Sequence, residues 1–157
     1  NYLPFRKELF NMIWSQGVIH HTPNTYKSFK KLLEIIHSNG QIYILLYPNY
    51  IFGPYRFIRD IFWKSYLIPK RWLYLLCWII ALPLYLCFYL KETIFLNKKT
   101  KKNKTKLRTV VFSLFDNLAP EYQHRHSKAE VSRWFLDNKI NDYKIIDDLG
   151  VVGRKKV

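Results

Sequence analysis

Apolar residues follow two different periods along the first 48 residues of the chain. Two short runs, Phe10–Gln16 and 41–47, are rich in β-branched and aromatic residues, which is typical of buried strands. Between them, over 24–37, apolar residues recur at three- and four-residue spacing and lysines occupy the opposite face, which predicts an amphipathic helix. A strand, a helix and a strand with short joints predict a right-handed crossover unit with two parallel strands.

Short polar segments set the ends of these elements. Thr22 is the expected N-cap of the helix, with Pro23 at the first helical position. The Ser-Asn-Gly segment 38–40 is expected to end the helix in a turn. In parallel sheets ligands bind beyond the carboxyl ends of the strands, so the segment 15–21 after the first strand is the expected position of a site.

The end of the chain predicts a helix followed by a hairpin. Ser127 and Glu130 form a capping box at the start of a helix over 127–138. Two short strands, 143–148 and 151–156, follow and are joined by a tight turn. Together with the crossover unit they predict an α/β fold, in which a sheet of two parallel strands and a closing hairpin carries both helices.

Residues 49–108 are an insertion between these two parts and include the most apolar run of the chain. An amphipathic helix with a mostly basic polar face is predicted over 54–68, and 72–90 contain no charged residue. At about 1.5 Å per residue, the second run is about as long as the ~30 Å hydrocarbon core of a bilayer. A single crossing would place the two halves of one sheet on opposite sides of the membrane. We therefore expect the insertion to form two or three helices that do not cross it. They either pack over the carboxyl ends of the strands or lie in a membrane interface.

The charge of the chain is strongly basic and unevenly spread. The formal net charge is +15 at pH 7, and seven of the basic residues lie within 97–109, a predicted loop. An excess of basic residues suggests an anionic membrane or nucleic acid as partner, or a solvated loop with no partner. Nucleic acid is the weaker choice, because no aromatic residues interleave with these lysines. The basic residues of the insertion that suit anionic headgroups are Arg56, Arg59, Lys64, Lys70 and Arg71.

The cysteine and histidine positions argue against a metal centre. Cys77 and Cys87 lie in the apolar run, without a Cys-x-x-Cys motif or a nearby histidine, and are interpreted as buried free thiols of a reducing, cytoplasmic compartment. The adjacent pair His20 and His21 suits general-base work near neutral pH. No cysteine or carboxylate lies at ligand spacing from this pair, so no metal is expected.

Several short motifs follow one another in a fixed order. They are Leu3-Pro4-Phe5, Phe10-Asn11, Ser15-Gln16-Gly17-Val18-Ile19-His20-His21-Thr22-Pro23 and Asn39-Gly40 before a strand. The series resembles the second half of class I S-adenosylmethionine-dependent methyltransferases of types 11 and 12. The resemblance spans residues 3–48, resumes near Phe112 and ends in a Gly-Arg-Lys run at 153–155. Asn11 stands where the family has aspartate, and Ser-Asn-Gly replaces its proline-glycine turn.

The resemblance implies a Rossmann-like methyltransferase core. Residues 1–48 would be its second half, 49–108 a helical insertion, and 109–157 the final helix and hairpin. The glycine-rich cofactor loop and the ribose-binding acid of the family belong before residue 1. The chain is therefore expected to be the carboxyl-terminal part of a larger enzyme, missing its amino-terminal half and inactive alone.

The resemblance also implies methyl transfer from S-adenosylmethionine to an acceptor, for which a quinone, a lipid-linked sugar, a small metabolite and a protein are all compatible. The residues expected near the methionine part of the cofactor are Ser15, Gln16 and Gly17. The candidates for orienting or deprotonating the acceptor are His20, His21, Tyr122 and His124. A loop over 110–122 is expected to bring the last two over the cofactor. The alternatives are a non-catalytic membrane-surface binding protein and, more weakly, a nucleic-acid binder.

Overall fold

The computed structural model describes residues 3–49, 54–62, 64–95, 106–146 and 148–156. The chain forms two compact units, of which the first comprises Asn1–Phe52 with Tyr122–Val157 and the second Gly53–Glu121. The strands are β1 (Phe10–Gln16), β2 (Ile36–Leu45), β3 (Asp142–Ile145) and β4 (Gly150–Arg154). The helices are α1 (Thr25–Ile35), α2 (Pro54–Ile61), α3 (Lys70–Phe95), α4 (Leu107–Leu118) and α5 (Lys128–Asp137).

The first unit is built on a mixed four-stranded sheet with the strand order β1-β2-β4-β3. β1 and β2 are parallel neighbours, with Ile13 opposite Ile42 and Ser15 opposite Ile44. β4 pairs antiparallel with both β2 and β3, so the terminal hairpin closes the sheet beside β2. The predicted α/β fold with two parallel strands and a closing hairpin is confirmed, although both hairpin strands are shorter than predicted.

The helices α1 and α5 pack on this sheet through the apolar faces that their residue spacing predicts. Buried side chains of this core include Phe29, Leu33, Ile42, Ile44, Trp134, Phe135 and Val151. Ser127 caps α5 as predicted, because its hydroxyl accepts a hydrogen bond from the backbone N–H of Glu130 at 3.1 Å. The core therefore holds the parallel pair and the hairpin together in one unit.

The start of α1 differs from the prediction. Asn24 is the N-cap, and its Oδ1 accepts a hydrogen bond from the Lys27 N–H at 2.8 Å. Thr22, the predicted cap, instead donates its hydroxyl to the carbonyl of Ile19 at 2.6 Å. A short 3₁₀ helix over Ile19–His21 ends at Thr22, so α1 begins later than expected.

The junction between α1 and β2 also differs from the prediction. β2 starts at Ile36, directly after α1, so the predicted turn at 38–40 lies inside the strand. Asn39 has a φ of +67°, and the pairing of β2 with β1 shifts register next to Phe10. Residues that tolerate positive φ serve a strand irregularity as well as a turn, which is why the sequence pattern was misleading here.

The second unit contains α2, α3 and α4, with a 3₁₀ turn at Ser65–Leu67. The expectation of helices in this part of the chain is confirmed, and α3 is one helix that continues through Pro83. Among the described residues, one stretch is long and apolar enough to cross a membrane, Lys70–Leu90. Only 17% of its apolar window is buried.

The helix α4 replaces the loop that the sequence predicts over 110–122. Its buried side chains face a buried stripe on α3, and the two sets are Val110, Val111, Leu114 and Leu118 on α4 and Leu73, Cys77 and Ala81 on α3. Helical spacing of apolar residues on both segments favours this packing over an open loop. Most of the predicted lysine-rich loop, residues 96–105, lies outside the described residues.

Two basic side chains of the second unit bind the carboxyl-terminal end of α4. Arg59 Nη1 donates to the carbonyls of Asn117 and Pro120, at 2.9 and 2.8 Å. Lys70 Nζ donates to the carbonyl of Ala119 at 3.0 Å. The sequence assigns both groups to a surface for lipid headgroups, but in the structure they satisfy the open carbonyls at this helix end.

Candidate active site

The segment 122–126 lies across the carboxyl ends of the parallel strands. The backbone N–H of His124 donates to the carbonyl of His20 at 2.9 Å. The N–H of His126 donates to the carbonyl of Tyr47 at 3.0 Å. These bonds bring residues from distant parts of the chain to the edge of the sheet where the sequence predicts a site.

Four histidines meet at this edge, and we call His20, His21, His124 and His126 the histidine cluster. The ring centroid of His20 lies 4.1 Å from that of His21 and 4.1 Å from that of Tyr47. His124 and His126 are 6.4 Å apart by the same measure. Since each neutral imidazole carries one donor and one acceptor, the cluster concentrates hydrogen-bonding groups at this edge.

His20 lies at the buried centre of the cluster and is fully enclosed. Neither of its ring nitrogens has a hydrogen-bond partner among the described residues. Burial, followed by the charges of His21 and His126, lowers the pKa of His20 to about 3. The ring is therefore neutral at physiological pH, and it packs against Tyr47 rather than serving as a strong base.

His21 is half-buried and has a defined hydrogen bond. Its Nδ1 lies 2.9 Å from the backbone carbonyl oxygen of Tyr122. A carbonyl oxygen only accepts, so Nδ1 must carry the hydrogen in this bond. In the neutral ring this leaves the lone pair on Nε2, which makes His21 the member of the adjacent pair that is prepared to accept a proton.

The two remaining candidates from the sequence, Tyr122 and His124, lie against the same edge. Their rings are stacked at 6.2 Å with an interplanar angle of 12°. His124 Nε2 is buried and has no hydrogen-bond partner among the described residues. The structure therefore brings all four predicted acceptor-side residues to this edge of the sheet. Most of the segment before Tyr122, which was predicted as a loop, is the helix α4.

One pair at this site was not singled out from the sequence. His126 Nδ1 lies 2.9 Å from Glu130 Oε1, and the ring of His126 meets that of Trp134 edge-on at 4.8 Å. The signal was present, since His126 and Glu130 are four positions apart at the start of a helix. From the sequence, the predicted role of Glu130 is only that of second member of the capping box.

The three residues predicted on the cofactor side have different surroundings. Ser15 is buried, and its hydroxyl has no hydrogen-bond partner among the described residues. Gln16 is exposed, and its Oε1 accepts a hydrogen bond from Trp14 Nε1 at 3.2 Å. Gly17 has a φ of +68°, and a Cβ added there would meet no atom within 4 Å. This glycine is required by its backbone conformation rather than by close packing.

A cavity of about 630 Å³ opens beside β1 in the first unit. Its lining comes from β1, the 3₁₀ turn and α1, and includes Ile13, Ser15, Val18, Ile19 and Leu32. The volume falls in the range of small-molecule sites, and the lining is mainly apolar with a few polar groups. Gln16 and Gly17 are not among its lining residues, so Ser15 alone connects this cavity with the predicted cofactor residues.

Within the described residues, no group of three or more histidine, cysteine, aspartate or glutamate side chains is placed to hold a metal ion. No model of a known protein family matches the chain, and no curated protein matches it either. A functional proposal therefore depends on the motifs of the chain and on the arrangement of its own residues.

Proposed function

We propose that this chain takes part in S-adenosylmethionine-dependent methyl transfer. The observation that carries the proposal is the position of the motif residues. The segment 15–23 follows the first of two parallel strands, at the edge of the sheet where ligands of such folds bind. The order of the remaining elements, a helix and then an antiparallel hairpin, is also the order that the resemblance implies.

The residues at this edge fit part of such a cofactor. The hydroxyl of Ser15 is buried without a described partner, and Ser15 is one of the residues that line a cavity of about 630 Å³. A buried polar group of this kind costs free energy unless a ligand or water satisfies it. The cofactor would supply a methyl group already activated on a sulfonium, which leaves the protein to orient the acceptor and to remove its proton.

On the acceptor side we assign proton removal to His21. The carbonyl of Tyr122 fixes the tautomer with Nδ1 protonated, so Nε2 is the basic atom. His20 stays neutral, because burial lowers its pKa to about 3. Its ring occupies the buried centre of the cluster. The stacked pair Tyr122 and His124 would form the wall against which an acceptor is oriented.

The test uses the full-length product of the gene and two readouts. Calorimetry with S-adenosylmethionine should show binding that Ser15→Ala weakens and Ser38→Ala, away from the cavity, leaves unchanged. Release of S-adenosylhomocysteine in a cell extract that supplies acceptors should fall in His21→Gln and persist in His37→Gln, an exposed control. No cofactor binding by the full-length product would refute the proposal.

A second candidate is a non-catalytic protein that binds a membrane surface from the cytoplasmic side. The largely exposed apolar run of α3 favours it. The two candidates differ in catalysis, but membrane binding itself is compatible with methyl transfer, since a methyltransferase at a membrane would take a lipophilic acceptor. Nucleic acid remains the weakest partner, because the densest run of basic residues, 97–109, contains no interleaved aromatic residue.

A further inference from the structure

The helix α3 has two apolar faces, and the second unit buries one of them. Leu73, Cys77 and Ala81 recur every fourth residue and are fully buried against α4. At 100° per residue, the diametrically opposite face of α3 is also apolar. Its side chains are all exposed, and we call this set the outer face of α3: Trp72, Leu75, Ile79, Leu82, Leu86 and Leu90.

The outer face is too apolar and too long for an ordinary water-exposed surface. Ile79 is 72% exposed, and Leu75 and Leu82 are each more than half exposed. From Trp72 to Leu90 the face runs for about 27 Å along the helix axis. Contiguous apolar patches of this size on single proteins mark surfaces that bind something. Trp78 and Tyr89 beside this face are aromatic residues of the type that favour membrane–water interfaces.

A membrane-crossing arrangement does not suit this helix pair. α4, which packs along α3, has 12 residues and includes Arg108 and Asp116. At about 1.5 Å per residue it covers only about 18 Å, short of the ~30 Å hydrocarbon core, so it cannot return across a bilayer beside α3. In the first unit the N–H of Asn49 donates to the carbonyl of His126 at 3.0 Å, so the chain leaves and re-enters that unit at neighbouring points. A single crossing by α3 would place these two points on opposite sides of the bilayer, which is incompatible with the hydrogen bond between them.

Positive charge borders the outer face. Arg71 is exposed at the start of α3, with its guanidinium 5.6 Å from the ring centroid of Trp72. The chain as a whole has a formal charge of +15. An apolar helical face with an arginine at its edge, on a chain of strongly positive charge, suits the interface of an anionic membrane.

We propose that the outer face of α3 binds the surface of an anionic phospholipid membrane. The helix lies parallel to the bilayer plane, with its apolar side chains below the headgroups and Arg71 among the phosphates. This inference is independent of methyl transfer, because it depends only on the exposed side chains of the second unit. A partner protein would need a matching apolar groove about 27 Å long, whereas a bilayer interface accepts an apolar helical face without such a fit.

Flotation of the full-length product with lipid vesicles tests the proposal. It should bind vesicles that contain phosphatidylglycerol, bind pure phosphatidylcholine vesicles less well, and dissociate partly in high salt. The double substitution Ile79→Glu with Leu86→Glu should weaken binding by about tenfold or more. The double substitution Leu136→Glu with Ile146→Glu places the same two charges on exposed apolar residues of the first unit and should leave binding unchanged.

Three outcomes would overturn the proposal. One is no flotation with either lipid, combined with unchanged emission of Trp72 and Trp78. The second is protein that resists both high salt and alkaline carbonate and leaves membranes only in detergent, which would show that α3 crosses the bilayer. The third is self-association without vesicle binding that Ile79→Glu abolishes, which would show a second copy of the chain as the occupant. Equal far-ultraviolet circular dichroism of all variants would show that loss of binding is not loss of folding.

Discussion

Glu130 holds the ring of His126 from one helical turn away, with Nδ1 and Oε1 separated by 2.9 Å. His126 is almost completely buried at the edge of the histidine cluster, whereas the Glu130 carboxylate is partly exposed. On the other side of the ring, Nε2 of His126 has no hydrogen-bond partner among the described residues. The pair therefore links the start of α5 to the segment that covers the parallel strands.

Removing this carboxylate should loosen the segment. We expect Glu130→Ala to lower the free energy of unfolding by about 0.5–1 kcal/mol, because the pair is partly exposed and solvent screens it. Glu130→Gln keeps an oxygen that can accept the hydrogen bond and should lose less. Urea denaturation of both variants measures the difference, and an Ala variant as stable as the parent would show that the contact contributes nothing.

Acid should destabilise the protein through His20. The pKa of this ring is lowered to about 3 by burial, whereas in the unfolded chain it lies near its ordinary value of 6.5. Below pH 6.5 the unfolded chain binds the extra proton, so stability falls as the pH decreases towards 3, by up to about 1.4 kcal/mol per pH unit. Above pH 6.5 the contribution is complete.

The substitution His20→Phe should flatten this dependence, because phenylalanine keeps the ring against Tyr47 and cannot be protonated. Thermal unfolding at several pH values between 5 and 7.5 measures the slope. His37→Phe alters an exposed histidine and should leave the slope unchanged. Identical slopes for the parent and His20→Phe would mean that His20 is not the group responsible.

Two glycines of the first unit should respond differently to alanine. At Gly17 a methyl group meets no neighbour, so Gly17→Ala should cost about 1 kcal/mol, through its φ of +68° alone. At Gly40 the added Cβ would lie 2.7 Å from a side-chain carbon of Ile36 and 3.0 Å from the carbonyl oxygen of Asn11. We expect Gly40→Ala to cost about 2–3 kcal/mol, since backbone of both β1 and β2 must shift. Chemical denaturation should give this order, and the reverse order would contradict the described junction.

The two thiols of α3 should differ in reactivity. Cys77 is buried against α4, and this burial raises the pKa of its thiol to about 11. Cys87 is exposed. Because the thiolate is the reactive form, iodoacetamide at neutral pH should label Cys87 first and Cys77 only after unfolding. Mass spectrometry of the labelled peptides checks this, and equally fast labelling of both would show that α3 and α4 separate readily.

Residue spacing predicted the regular elements better than the joints between them. The strand β1 and the helices α1 and α5 follow from periodicity, because burial of one face requires a repeating pattern. The predicted turn at 38–40 is wrong because Asn39 takes its positive φ in a strand irregularity, and asparagine serves that conformation there as well as in a turn. The predicted loop at 110–122 failed because the apolar spacing of α4 is meaningful only once α3 is available to cover it.

The site could be predicted only in part, for a related reason. His20 and His21 follow β1, so their place at the edge of the sheet follows from local sequence. Their contact with the segment 122–126 depends on pairing across about a hundred residues, which no short motif encodes. Which histidine is buried depends on that pairing, so the sequence left the choice between His20 and His21 open.

The hydrogen bond between Asn49 and His126 also makes the first unit a convenient scaffold for engineering. Because the chain leaves and re-enters the first unit at neighbouring points, residues 50–121 are an insertion that the sheet of this unit does not need for its own closure. A short glycine-serine linker between Asn49 and Tyr122 should span the gap and leave the sheet intact, since the entropic cost of a loop rises only slowly with its length. The same two positions would accept another small domain whose termini lie close together.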